Sequence, residues 1–431
     1  MSEPLLSTKS TRNFSARSLF FVIFAFAISA AQEKARSEPF FLHNGDRVLF
    51  YGDSITAQRY YTRDVEDFVL TRYPELKVDF FNAGVPGDTV YGGYTGDTAK
   101  RLQRDVYPIM PTVVTVMLGM NDPGYVPFDE HILDVFKTGY TTLIADLTNR
   151  LPQVRLTLIA SSPYDEVTHG TDFPGLSQTV QRYGMFVKQL AHERHERFAN
   201  FNDALDAVLH AAVRENKSYA ALLIPDRIHP SETAQWVMAQ ELMQTWHASP
   251  EVSRVELDAA LGKVSATRNA DVSQVELTSS GISWAELEHA LPLPFSNDNP
   301  MLQFTRQAAN LEALDQEILQ VRGLVASRYN LKIDDKSVAE LTRDQLTNGV
   351  NLALLSTPML DQANGIDWLE ERKTKLDAAR FSLEGEMPST PGGLEAARTL
   401  RSAEEQVTAE QREKAQPKSH RFALVAIGRS Q

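Results

Sequence analysis

A chain of 431 residues, 42% hydrophobic and 23% charged, is long enough to bury a sizeable core and to hold more than one folded unit. It has no cysteine, which excludes disulfides, thiolate catalysis and thiolate zinc sites. Its net charge of −13 repels phosphate backbones and argues against nucleic-acid binding.

At the N-terminus, Lys9, Arg12 and Arg17 precede the apolar run Leu19 to Ala30. Ser29 and Ala31 supply the small residues of a signal-peptidase site before Gln32. The segment 1–31 therefore reads as a cleaved secretory signal, and the chain as exported to a periplasm or the exterior. The alternative is an uncleaved anchor, but about 12 apolar residues fall short of the ~20 that span a bilayer, so no stable membrane span is expected. The segment carries a net +2, which leaves −15 on the rest of the chain.

From Asp46 to Thr245, short runs rich in β-branched residues alternate with longer amphipathic stretches, the pattern of a parallel sheet covered by helices. The class is α/β. Strands are predicted at Arg47 to Tyr51, Lys77 to Phe81, Thr112 to Leu118, Arg155 to Ala160 and Asn200 to Asn202. Helices are predicted at Thr62 to Arg72, Thr98 to Tyr107, Ile132 to Arg150, Leu176 to Arg197, Ala204 to Glu215 and Ser231 to Thr245, the last with Ser231 as N-cap. The glycines from Gly84 to Gly96 match neither a P-loop nor a dinucleotide fingerprint.

Around Ala248-Ser249-Pro250 the pattern breaks, which suggests a first domain over 40–247 and a C-terminal extension over 252–431. The extension alternates at Arg254 to Leu257 and Gln274 to Thr278. A hairpin is expected between Arg328 to Ile333 and Ser337 to Leu341, turning at Asp334-Asp335-Lys336. Two long helices, Met359 to Leu383 and Gly393 to Gln416, are separated by a break at Pro388 to Gly393, and a strand is expected at Arg421 to Ile427.

Ser54, in Gly52-Asp53-Ser54, lies just beyond the C-terminal end of the first predicted strand, where open parallel sheets place their ligand sites. A serine hydroxyl is a weak nucleophile until a base takes its proton. Asp226-Arg227-Ile228-His229 supplies a base and, three residues earlier, a carboxylate to orient it. Asn82-Ala83-Gly84 and Gly119-Met120-Asn121-Asp122 follow the second and third strands on the same sheet edge. A tetrahedral intermediate needs donors aimed at its oxyanion, and the N–H groups of Ser54 and Gly84 with the Asn121 amide would provide three. Each block alone reads as a turn or a cap; their joint occurrence, in order and at strand ends, points to catalysis.

These four blocks resemble those of the SGNH/GDSL hydrolases, over roughly Asp46 to Thr245. The resemblance implies a three-layer, flavodoxin-like sandwich with a parallel sheet, to which the mixed β and long-helix extension is added. It further implies ester hydrolysis with no metal or organic cofactor: Ser54, Asp226 and His229 catalytic, and Ser54, Gly84 and Asn121 as the oxyanion hole. Thr56 breaks the Gly-x-Ser-x-Gly elbow, which disfavours the α/β-hydrolases. The region from Val252 onward resembles the C-terminal extensions of some bacterial members.

Tyr91 and Tyr94 follow Gly84 and are candidate substrate contacts, since aromatic faces with polar tips suit sugar rings. An exported esterase of this kind is expected to deacetylate a carbohydrate. Two alternatives stay open: an acyltransferase using the same serine on a glycan, and an inactive carbohydrate-binding protein. Sequence alone leaves the oligomeric state undetermined.

Overall fold

The computed structural model describes residues 38–170, 172–295, 299–386 and 390–428. The expected signal segment 1–31 and Pro388 of the expected interhelical break lie outside the described residues.

Five strands, β1 (Arg47–Gly52), β2 (Asp79–Gly84), β3 (Val113–Leu118), β4 (Arg155–Ala160) and β5 (Arg197–Asn200), pair in the order β2-β1-β3-β4-β5. Every pair is parallel. The helices of this unit include α1 (Ser54–Ala57), α2 (Tyr60–Arg72), α3 (Glu130–Arg150), α4 (Leu176–Arg194), α5 (Phe201–Glu215) and α6 (Glu232–Thr245), besides the single turns Thr98–Arg101 and Lys217–Ala220. Side chains alternate across the sheet, so one strand feeds two cores. Val48, Phe50, Val113 and Ile159 face Val65 and Phe68 of α2, Leu205 of α5 and Leu242 of α6. Leu49, Tyr51, Val114 and Leu158 face Leu143 of α3 and Val187 of α4. Burial on both faces explains the nearly continuous apolar runs of β3 and β4. The result is the three-layer α/β sandwich expected from the motif blocks.

Several boundaries differ from the sequence reading for local reasons. β2 runs on to Gly84 because its register with β1 carries Asp79 opposite Arg47 and Gly84 opposite Gly52. The helix expected at 98–107 is one α turn, Thr98–Arg101, followed by a π turn and a 3₁₀ turn that contains Pro108, which has no N–H to continue a helix. α4 stops at Arg194, where His195 takes a left-handed φ of 56°, and β5 starts at Arg197. Asn200 ends that strand early by capping α5, its side chain accepting from Asp203 N. Ser231 caps α6 as expected, accepting from Ala234 N.

The extension contains β6 (Glu251–Asp258), β7 (Lys263–Arg268), β8 (Ala270–Thr278), β9 (Gly281–Glu288), α7 (Pro300–Ala309), β10 (Gln316–Arg322), β11 (Arg328–Ile333), β12 (Lys336–Thr342), α8 (Arg343–Asn348), β13 (Val350–Asn351), α9 (Pro358–Glu386), α10 (Pro391–Lys414) and β14 (Ser419–Ala426). β8-β9-β14-β11-β12 form an antiparallel sheet, and β13-β10-β6-β7 a mixed one in which β6 and β10 run parallel. The two sheets share a core that includes Val255, Trp284, Leu319, Leu331 and Phe422. The β11–β12 turn has φ of 48° at Asp334 and 64° at Asp335, the left-handed pair of a type I′ hairpin.

From residue 40 onward the described residues form one compact unit. The hairpin of α9 and α10 packs beside α2 and the outer strand β2. Asp377 pairs with Arg59 at 3.0 Å and Lys373 with Glu66. Arg412 donates to Val78 O at 3.0 Å and to Asp79 at 2.8 Å. An unpaired sheet edge is an aggregation template, and α10 covers this one.

Candidate active site

β1 ends at Gly52, and the chain turns at once into α1. Asp53 is the N-cap, its carboxylate accepting from Ile55 N at 3.0 Å, which leaves Ser54 at the first helical position above the sheet edge. The turn needs two bare backbones. A Cβ on Gly52 would lie 2.9 Å from Met117 O, and one on Gly84 would collide with the main chain of Thr56 and Ala57. Asn82 fastens the turn to β2, donating to Thr56 O at 2.8 Å and to Thr62 Oγ1 at 3.1 Å.

The segment before α6 brings the second half of the site. His229 Nε2 stands 2.8 Å from Ser54 Oγ, and its Nδ1 stands 2.6 Å from Asp226 Oδ2. Nδ1–H donating to the carboxylate leaves Nε2 as the acceptor for the serine hydroxyl. Asp226 also accepts from His229 N at 2.7 Å and Ile228 N at 3.0 Å. Burial pushes its carboxyl up, but these hydrogen bonds outweigh it and hold the group below its ordinary range, so it stays ionised at neutral pH.

Two further groups hold this loop in place. Arg227, left-handed at φ 71°, receives Asp165 N on its carbonyl at 2.9 Å and extends its guanidinium to Asp172 at 2.9 Å. Gln235 of α6, fully buried, donates to Gln58 Oε1 and Pro230 O and accepts from Tyr61 N. It thereby links the Ser54 segment to the His229 loop.

On the oxyanion side, Gly84 N donates to Asn82 Oδ1 at 3.0 Å, so an incoming oxyanion would share that hydrogen. Asn121 Nδ2 donates to Asp88 O at 3.0 Å, while its Oδ1 accepts from Tyr125 OH at 3.1 Å. Ser54, Gly84 and Asn121 thus come from the ends of β1, β2 and β3 to one edge of the sheet, as their order predicts.

Beneath the turn lie buried acids. Asp88 pairs with the fully buried Arg101, whose guanidinium stacks 4.5 Å from the centre of the Tyr51 ring. Burial pushes Asp53 up to about 7, against its bond from Ile55 N and with help from the Asp122 and Asp88 charges. Burial likewise pushes Asp122 up to about 7. An acid whose folded pKa is raised binds more protons folded than unfolded, so its contribution falls as pH rises from about 4 through 7. Asp53→Asn keeps the cap acceptor and removes that titration. Denaturation midpoints measured between pH 4 and 9 are expected to favour the variant most above pH 7, with the advantage shrinking steadily toward pH 4; equal offsets at every pH would refute this.

Of the two tyrosines expected at the substrate, Tyr91 sends its hydroxyl to Val135 O on α3 at 2.9 Å, and Tyr94 is 78% exposed. Among the described residues neither has a hydrogen bond or ring contact with Ser54, His229 or Asn121. Tyr125 does bond to a site residue, its hydroxyl donating to Asn121, and the sequence reading passed over it, as it did the roles of Asn82 and Gln235. Asn82 was legible beside Gly84; Gln235 and Tyr125 carried no local signal beyond their spacing from His229 and Asn121.

The sequence model of the GDSL-like lipase/acylhydrolase family matches residues 50–237. Over 222 residues the chain is 28% identical to an acetylxylan esterase of Geobacillus stearothermophilus, an alignment that spans 47% of this chain and 94% of that enzyme. A solved structure of a gut microbial diltiazem-metabolizing enzyme superimposes with a TM-score of 0.77 at 24% identity, covering 90% of this chain and 98% of the other. That likeness of fold takes in the extension as well as the parallel-sheet unit. Residues 50–237 are therefore a GDSL-like lipase/acylhydrolase domain, which together with the acetylxylan esterase relative supports an esterase.

Proposed function

We propose that this esterase removes acetyl groups from a carbohydrate through an acyl-enzyme. The observation that carries the mechanism is the continuous relay from Asp226 through His229 to Ser54, with 2.6 Å and 2.8 Å links. Ser54 Oγ attacks the ester carbonyl as His229 Nε2 takes its proton, and Asp226 stabilises the imidazolium. The oxyanion forms against the N–H groups of Ser54 and Gly84 and the Asn121 amide. His229 then protonates the departing sugar hydroxyl, and water, activated by the same imidazole, releases acetate. The relative named as an acetylxylan esterase supports the choice of acyl group and alcohol. Tyr94, exposed on the loop after Gly84, is the proposed outer contact for the sugar chain.

The test is a panel of acetylated xylan, pectin and peptidoglycan fragments beside p-nitrophenyl esters of increasing chain length. Acetate release from a glycan, with activity falling beyond short acyl chains, is expected; preference for long chains and no acetate from any glycan would sink the reading. Adding a sugar acceptor distinguishes hydrolysis from acyl transfer.

The compartment is inferred to be outside the cytoplasm, on the strength of Lys9, Arg12 and Arg17 before Leu19 to Ala30. N-terminal sequencing of the mature protein should begin at Gln32. Among the described residues no helix is long and apolar enough to cross a membrane.

A further inference from the structure

We infer that Tyr125 is a positioning residue for the oxyanion site, fixing the Asn121 side-chain amide with Nδ2 as the donor turned to the reacting carbonyl. This rests on the proposed role of Asn121. An asparagine amide can flip, exchanging an acceptor for two donors at nearly the same positions. Here both ends are specified. Asp88 O takes one hydrogen of Nδ2 at 3.0 Å, and the Tyr125 hydroxyl donates to Oδ1 at 3.1 Å. A flipped amide would set Oδ1 against the Asp88 carbonyl, two acceptors facing each other. With one Nδ2 hydrogen on Asp88, the second is left for the oxyanion.

The tyrosine is itself held at a conformational cost. Its φ of 56° is left-handed, which a bulky side chain adopts only where its surroundings dictate it. Phe173 meets its ring at 5.4 Å, and Tyr164 meets Phe173 at 6.3 Å, so an aromatic row fixes the phenol. Burial pushes the phenol up to about 12, with the charges of Asp53 and Asp226 adding to it, so the hydroxyl remains a donor throughout the neutral range.

Tyr125→Phe deletes only the hydroxyl and keeps the ring and the backbone requirement. It is tested alone, with Asn121→Ala, and as the double variant, on p-nitrophenyl acetate, with thermal unfolding as a control for folding. Losing an oxyanion donor costs roughly 10²- to 10³-fold in kcat, so Asn121→Ala should fall in that range. Tyr125→Phe should lower kcat by roughly tenfold, part of that loss, with KM changed less than about twofold. In the Asn121→Ala background it should add less than about twofold, because the amide it orients is gone.

An equal loss in both backgrounds, or a raised KM at unchanged kcat, overturns the positioning role in favour of a structural or direct substrate contact. If Asn121→Ala leaves kcat intact while Ser54→Ala abolishes it, the donor role of Asn121 fails and the inference with it. If Ser54→Ala remains active, it is the serine-esterase reading that has failed.

Discussion

Ser54→Ala is expected to abolish covalent labelling by a fluorophosphonate probe and to lower kcat on an acetyl ester by on the order of 10⁴ or more. The size of the effect follows from the relay. His229 Nε2, the proposed base, sits 2.8 Å from Oγ, and Asp226 holds His229 through both a ring and a backbone hydrogen bond. His229→Ala should lose nearly as much, because without it the hydroxyl keeps its proton and the leaving alcohol finds no acid. Residues that act as one unit are not additive, so the double variant should be no worse than either single one. Mass spectrometry of probe adducts and initial-rate kinetics check all three. Residual activity of Ser54→Ala above a hundredth of the parent, at an unchanged substrate profile, would contradict the nucleophile assignment.

The second large effect is on stability. Arg72 at the end of α2 is buried between the parallel-sheet unit and the extension, donating to Ser249 O at 2.7 Å, Leu314 O at 3.1 Å and Asp315 Oδ1 at 3.1 Å. Both charged side chains are 1% exposed. Burial pushes Asp315 up to about 7 despite its partner and pulls Arg72 down despite the carboxylate, so desolvation outweighs their mutual attraction. Such a pair adds little over apolar residues of the same shape, but losing one member leaves the other stranded. Arg72→Met is therefore expected to cost about 3–5 kcal/mol at pH 8, read by urea denaturation. At pH 5 the cost should shrink, since Asp315 without its counter-ion is protonated there in the folded state and nothing charged is left buried. Arg72→Met with Asp315→Asn should recover much of the loss at pH 8, since Asn retains an acceptor for Leu293 N. A penalty independent of pH, or no recovery in the double variant, would refute the ionic account.

Arg72 and Asp315 also mark the limit of what can be read along the chain. They are 243 positions apart, and nothing about Arg72 at the end of an amphipathic helix distinguishes it from a solvated cation. The same holds for β14, which enters between β9 and β11 only after the α9–α10 hairpin has carried the chain away and back. Its alternating pattern declared a strand but could not name its neighbours. The same limit applies to the aromatic side chains. Tyr91 and Tyr94 follow Gly84 in sequence, and Tyr91 bonds to α3, whereas the phenol that bonds to Asn121 belongs to Tyr125, on the loop after β3.

What the sequence determined by itself was the local grammar of the site. Periodicity set the strands of the parallel sheet, and a parallel sheet puts every C-terminal strand end on one edge. Polar blocks at Ser54, Gly84 and Asn121 therefore had to meet there, with Asp226 and His229 tied by a three-residue spacing. Tertiary structure alone decided the 2.8 Å approach of His229 to Ser54 across 175 positions, the Gln235 link between their segments, and the Tyr125 hydroxyl on Asn121. Hydrogen bonds of that kind depend on where whole helices and loops pack, and packing sums weak contacts over the entire core, which leaves no local period to read.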